Sequence, residues 1–148
     1  MEEIWKDIPG YENYYQASNL GRIRSKDRLI IVNDYQNAHA YCKGFSYVRP
    51  GKVLKARKNM CGYLMVPICV NRKTKSISVH RLVAKTFIEN KYNLPQVNHV
   101  DENKLNNNIN NLEWCTEQYN MNYNNLVNRR AFKQRTTNSR CKKIISID

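Results

Sequence analysis

The sequence contains no run of about 18 apolar residues, so no segment of it is suited to crossing a bilayer as a helix. Its opening, MEEIWKDIPG, is acidic and aromatic and lacks the pattern of a secretory leader. No Cys-x-x-Cys pair occurs among the five cysteines (Cys42, Cys61, Cys69, Cys115, Cys141), which argues against a zinc ribbon. Their odd number and scatter fit reduced thiols in a cytoplasm better than a disulfide framework. Acidic residues are scarce as well. The 12 Asp and Glu face 25 Lys and Arg, giving a net charge of +13 and a pI near 9.7. Such a balance on 148 residues implies an anionic partner, with nucleic acid the first candidate. That length holds one modest core, or a small domain with appendages.

What the chain does contain is organised around Val97 to Tyr123, VNHVDENKLNNNINNLEWCTEQYNMNY. Val97 to Val100 is short and partly β-branched, as a buried strand should be. Asp101 to Asn110 is Asn-rich and suits a loop, because Asn and Asp side chains satisfy turn backbone. Leu112, Trp114 and Thr116 alternate with Glu113 and Cys115, predicting a second strand. Thr116 then suits a helix N-cap, with Glu117 in the first turn. The order is strand, loop, strand, helix. His99 ends the first strand, Asn111 opens the second twelve residues on, and Asn120 follows nine residues later, one turn into the helix. The amide oxygens of Asn98 and Asn120 are hard donors of the kind Mg²⁺ accepts. An imidazole beside an oxygen-ligated metal suits phosphodiester hydrolysis, with the base taking a proton from water.

This stretch resembles the His-Asn-His (HNH) endonucleases with a β-β-α-metal core, especially phage homing endonucleases. The resemblance implies that His99 is the general base and that Asn111 braces the loop carrying it. It also implies that Asn120 is a metal ligand. Many members place an acid just before the base; this chain has Asn98 there. Asp101, Asn103, Lys104, Asn107, Leu112, Trp114 and Thr116 fit the family's loop and second strand. The cofactor implied is one Mg²⁺ or Mn²⁺ per active site, with no zinc.

Glu3 to Ser25 carries the most specific match. Trp5, Ile8, Gly10, Tyr11, Tyr15, Ser18, Asn19, Gly21, Arg22 and Ser25 resemble the nuclease-associated modular motif of the fourth type, found at the front of HNH homing endonucleases. Pro9-Gly10 and Asn19-Leu20-Gly21 are turn signals. In the strand that follows, Arg22 and Arg24 share one face while Ile23 points inward. Those two guanidinium groups are either a phosphate contact or a solvated hairpin edge, and these residues alone leave the choice open.

Leu29 to Val32 predicts a strand and Asn33 to Ser46 an inserted loop, with His39 on its surface. Lys52 to Arg57 and Leu64 to Ile68 alternate as strands, with Pro67 marking an edge or a bulge. Asn71 to Lys75 reads as a basic turn, Ser76 to His80 as a third strand, and the run to Ile88 as a helix with Leu82, Val83 and Phe87 on one face. His80, among core formers, reads as structural.

The expectation is an α+β protein: a small antiparallel sheet in front, a β-β-α-metal core behind, and a basic tail. Residues 1–52 form the DNA-contacting region, 53–125 the nuclease core, and 126–148 the tail. Arg22, Arg24, Lys55, Arg57, Arg129, Arg130, Lys133 and Arg135 are the phosphate-contact candidates. The partner is double-stranded DNA, the protein a monomer without membrane association, and its setting the cytoplasm of a phage-infected bacterium. In related enzymes a segment like the tail opens a C-terminal DNA-reading module, so the sequence reads as a short form or a truncation. The activity is a nick in one strand, because one site per monomer reaches one phosphodiester. A non-catalytic DNA-binding protein with a degenerate core is the alternative.

Residues 128 to 143, NRRAFKQRTTNSRCKK, carry many basic residues and no acidic one, so they should supply sequence-independent affinity or else be merely solvated. Deleting residues 128–148 should weaken DNA binding and flatten the dependence of log K on log salt by about 0.9 for each phosphate the tail had neutralised. An unchanged slope would make the tail a solvated appendage.

Overall fold

The computed structural model describes residues 2–36 and 40–123; His39, the basic tail and its candidates Arg129, Arg130, Lys133 and Arg135 lie outside the described residues. Three short strands open the chain: β1 (Trp5–Asp7), β2 (Tyr15–Ser18) and β3 (Ile23–Ser25), antiparallel in that order. Next come β4 (Arg28–Val32), β5 (Tyr35–Gln36), β6 (Tyr41–Cys42) and β7 (Phe45–Arg49). Then β8 (Arg57–Lys58), β9 (Leu64–Val70) and β10 (Lys73–Ser78) form a second three-stranded sheet with β9 in the middle. Helix α1 (Val79–Phe87) precedes β11 (Gln96–His99), which pairs antiparallel with β12 (Leu112–Cys115), and α2 (Glu117–Asn122) follows. The architecture is α+β, built of small antiparallel sheets and few helices.

One core joins the front sheet, β9, α1 and the last strand pair. Ile8, Tyr15, Ala17 and Ile23 from the front sheet meet Val66 and Ile68 of β9, Leu82, Val83 and Ala84 of α1, and Val97 and Leu112 of the last strand pair. The periodicity of α1 explains its central place, since Val79, Leu82 and Val83 recur at helical spacing and are all buried. Two polar contacts lock the layers. The Tyr15 hydroxyl donates to the Cys69 carbonyl at 3.1 Å and accepts from the Cys69 N–H at 3.0 Å. That bond closes the side of β9 which β8 does not reach, because β8 pairs only with Leu64 and Met65. Pro67 stands on the same uncovered stretch, where a missing N–H costs nothing to the sheet. At the other end, Trp114 Nε1 donates to the Ile88 carbonyl at 3.0 Å, tying β12 to the end of α1.

Four expectations need correction. Asn33 to Ser46 is not an open loop: β4 pairs with β7 and β5 with β6, making an arm whose Leu29, Ile31, Phe45 and Val48 are exposed. Asn37 to His39 lie outside the described residues. Lys52 to Arg57 is not a continuous strand, because beyond the Arg24–Val53 bridge only Arg57 and Lys58 pair. The third strand ends at Ser78, so His80 sits in α1. The basic turn is tighter than Asn71 to Lys75, because Asn71 and Arg72 both take positive φ and pairing resumes at Lys73.

The turn after β2 touches the segment that will matter most. Asn19 O accepts the Ile109 N–H at 2.9 Å, and Gly21, at φ +87°, lies against the Asn107 backbone, where an added Cβ would come within 2.8 Å of its carbonyl oxygen. Gly21→Ala should therefore cost about 2 kcal/mol or more, from the left-handed backbone and the collision together, read as a lower urea midpoint. A midpoint equal to that of the parent would show that the turn and the Asn107 segment move apart freely.

Candidate active site

The register of β11 against β12 places Asn98 opposite Glu113 and His99 opposite Leu112. Thr116 Oγ1 accepts the Tyr119 N–H at 3.1 Å, so α2 starts where a capping residue ends the strand. Asn120 Nδ2 then donates to Gln96 Oε1 at 2.7 Å and holds the helix beside β11. Asn98, His99 and Asn120 thereby line one cavity of about 260 Å³, with Tyr63, Glu102 and Lys104 also on its walls.

His99 is 4% exposed, and its Nε2 lies 3.1 Å from Asn107 Oδ1. Asn107 Nδ2 donates to the Leu105 carbonyl, which turns the amide oxygen toward the ring. An amide oxygen only accepts, so Nε2 carries the proton and Nδ1 keeps its lone pair. Burial pushes the His99 pKa below its ordinary 6.5, against the opposing pull of the Asn107 bond and the Asp101 charge. The imidazole is neutral at pH 7, as a proton acceptor must be.

Asn111 works on the loop rather than in the cavity. Its Oδ1 accepts the Asp101 N–H at 2.9 Å, while Nδ2 donates to Asp101 Oδ1 at 2.7 Å and to the Asn106 carbonyl at 2.8 Å. Asp101 also takes Asn106 Nδ2 at 2.7 Å and the Asn103 N–H at 2.8 Å. Those hydrogen bonds, Asn106 foremost, hold the Asp101 carboxyl below the usual carboxylate range. The loop that follows His99 is thus closed by side chains on backbone, which is why the sequence there is so rich in Asn.

His80 stands beside His99. The two imidazole rings are 5.1 Å apart, edge to face, and Tyr63 lies against both. Burial, then the His99 and Arg81 charges, push the His80 pKa down to about 3. Its Nδ1 is buried without a partner among the described residues. Its place beside His99 was not readable from sequence, because the residues between them form a helix and a turn that fold back.

The two amides of the cavity differ in their anchors. Asn98 Nδ2 donates to Glu113 Oε1 at 2.8 Å, and a carboxylate only accepts, so the amide oxygen of Asn98 is turned away from Glu113. Among the described residues no group of three or more His, Cys, Asp or Glu side chains converges as a metal site. The donor set suits a hard dication, with amide oxygens and no thiolate. Of the basic candidates, Arg22 pairs with Glu3, and Arg24 lies over the Trp5 ring at 4.4 Å with Nε donating to Gln16. Lys55 and Arg57 are exposed and form no ion pair among the described residues. Sequence reading assigned no part to Tyr63 or Glu102. Lys104 it placed in the loop, and the structure turns it over the Tyr63 ring at 4.6 Å with Nζ donating to the Cys61 carbonyl at 2.9 Å.

Residues 3–69 match the NUMOD4 motif and residues 78–122 match the HNH endonuclease family. The chain carries a NUMOD4 motif and an HNH endonuclease domain. It is 35% identical over 117 residues to the DNA endonuclease I-HmuI of Bacillus phage SP01, covering 79% of this chain and 55% of that protein. An uncharacterised HNH endonuclease of Acanthamoeba polyphaga mimivirus is 58% identical over 73 residues, covering 49% of this chain and 22% of that protein. The structure of the HNH homing endonuclease I-HmuI, described for DNA binding and cleavage, matches with a TM-score of 0.55 at 32% identity, covering 93% of this chain and 60% of that one. The chain thus spans about half or less of the curated relatives it matches. The HNH domain contains both cavity amides, His99 and the Asn-closed loop; the NUMOD4 motif contains Asn19 and Gly21, which touch that loop.

Asn111→Ala removes three hydrogen bonds and strands the Asp101 N–H, so it should lower unfolding free energy by about 2–3 kcal/mol in urea denaturation. Equal midpoints for variant and parent would mean that other contacts hold the loop.

Proposed function

We propose that the protein is a divalent-metal-dependent DNA endonuclease of the homing type that hydrolyses one phosphodiester and leaves a nick. The observation that supports this reading most is the cavity where a neutral His99, with Nδ1 unprotonated, stands beside the amides of Asn98 and Asn120. His99 Nδ1 takes the proton of the attacking water, while Asn107 keeps the proton on Nε2 and fixes the ring plane. Asn111 and Asp101 keep the His99 loop from shifting, which is the positioning part of the catalysis. Lys104, held by Tyr63 and the Cys61 carbonyl, offers positive charge to the phosphate oxygens. Asn98 and Asn120 would hold a dication, Mg²⁺ or Mn²⁺, which when bound would supply charge stabilisation to the reaction.

Residues 1–52 and the tail 126–148 are the DNA-contacting parts in this reading, and 53–125 the nuclease core. Lys55 and Arg57 are the better phosphate contacts of the described basic residues, since Arg22 is already matched by Glu3. A monomer with one such cavity cuts one strand. The neutral Asn98 favours a second reading, a DNA-binding protein with an inactive core.

Incubation with phage genomic DNA, with Mg²⁺ or with EDTA, followed by mapping of new strand ends, separates the two. New ends that require metal, and a loss of about 10²–10⁴-fold in His99→Ala with DNA affinity retained, are expected. Binding without any new ends would leave the inactive-core reading. A larger loss in His80→Ala than in His99→Ala, at equal stability, would move the base to His80.

A further inference from the structure

The turn after β11 places a second acidic residue of the loop at the cavity. Glu102 N–H donates to the His99 carbonyl at 2.9 Å, closing a turn over His99 to Glu102 that carries Glu102 back beside the strand it left. Its φ is +60°, a backbone conformation that disfavours L side chains other than Asn and Asp. Three other described non-glycine residues have positive φ. Asn71 and Arg72 form the tight hairpin turn before β10, and Asn93 is a residue type that tolerates the conformation. Among the described residues, Glu102 alone combines an ill-suited residue type with a place in the wall of the catalytic cavity, together with Asn98, His99 and Asn120. Unfavourable backbone retained at a site points to a use for the side chain it presents.

The electrostatics of the cavity supply that use. Asn98 and Asn120 give a dication two neutral oxygens, and Lys104 adds a positive charge to the same walls. A doubly charged hard cation gains much more from a carboxylate than from an amide, and its affinity follows the number of charged ligands. Three carboxylates are near, and that of Asp101 is taken up within the loop by Asn106, Asn111 and the Asn103 N–H. Glu113 bonds Asn98 from the side away from that residue's amide oxygen and does not line the cavity, whereas Glu102 does.

We propose that Glu102 supplies the anionic ligand of the metal site, directly or through a metal-bound water, in place of an acid at position 98. This rests on the metal-dependent nuclease reading. The acid has moved four residues along the chain, from the strand to the turn that follows it, while staying in the same cavity. In this arrangement the strand keeps an uncharged Asn98 that Glu113 can anchor, a contact that an aspartate there would turn into repulsion between two carboxylates.

The test is Mn²⁺ binding, followed by loss of the free-ion electron paramagnetic resonance signal, with the full chain alone and with duplex DNA. Glu102→Gln should weaken Mn²⁺ binding by about ten- to a hundredfold. Glu102→Gly should weaken it equally while keeping the melting temperature or raising it by about 2–4 °C, because glycine relieves the left-handed backbone. That split between affinity and stability is not what a structural role would give. Adding Asn98→Asp to Glu102→Gln should restore most of the affinity. Wild-type affinity in both Glu102 variants, with the loss appearing in Glu113→Gln instead, would overturn the assignment and place the charge behind Asn98. Failure of the unaltered protein to take up Mn²⁺, with or without DNA, would overturn the metal-dependent reading itself.

Discussion

The hydrogen bond between His99 Nε2 and Asn107 Oδ1 is the constraint on which the rest of the site depends. It decides which ring nitrogen carries a lone pair, and it does so only while Asn107 stays in place. Asn107 belongs to a segment with almost no regular structure, so its position comes from bonds made elsewhere. Asn111 and Asp101 close the loop from within, and Asn19 O holds it from outside by accepting the Ile109 N–H. Gly21 makes the approach possible by presenting no Cβ to the Asn107 backbone. A tautomer in the HNH domain is in this way fixed partly by a turn of the NUMOD4 motif.

Around the His99 imidazole, burial and an amide hydrogen bond do the fixing rather than an ion pair, while the Asp101 and Lys104 charges act on the ring in opposite directions. The sequence as a whole is strongly basic, with 25 Lys and Arg against 12 Asp and Glu. Two of the arginines near aromatic surface are already engaged. Arg22 and Arg24 both lie over Trp5, and each has a polar partner besides. A planar guanidinium stacked on indole is held in place by the ring and by its polar partner together.

Much of the fold was legible because its signals are local. The Thr116 cap, the β-branched run at Val97, the alternation from Leu112 and the helical spacing of Leu82, Val83 and Phe87 each depend on a few neighbouring residues. The inserted segment after Val32 was misread because its strands are two to five residues long and pair only with one another, leaving no buried face to imprint an alternation. Lys52 to Arg57 failed for the opposite reason. The alternation is real, with Leu54 and Ala56 packed on the core, but the partner strand stops at a single bridge. Within the site, the places of His99, Asn98, Asn111 and Asn120 follow from one contiguous stretch. His80, Tyr63, Glu102 and Lys104 come to it through long-range packing or an unusual φ, and neither leaves a mark in composition or periodicity.

The shared core also limits how far the two motifs can be treated as separable parts. A module joined by a linker keeps its own apolar centre and can be moved without cost to its neighbour. Here Ile8, Tyr15, Ala17 and Ile23 pack in the same cluster as Leu82, Val83, Val97 and Leu112, and the Tyr15 hydroxyl completes the uncovered side of β9. Removing the front sheet would expose α1 and unpin the loop that holds His99 in its tautomer. The DNA-contacting surface proposed for the front of the chain thus packs on the same core as the strand pair that carries His99. The front sheet meets the Asn107 segment through one turn and two contacts, the Ile109 N–H on Asn19 O and the Asn107 backbone against Gly21.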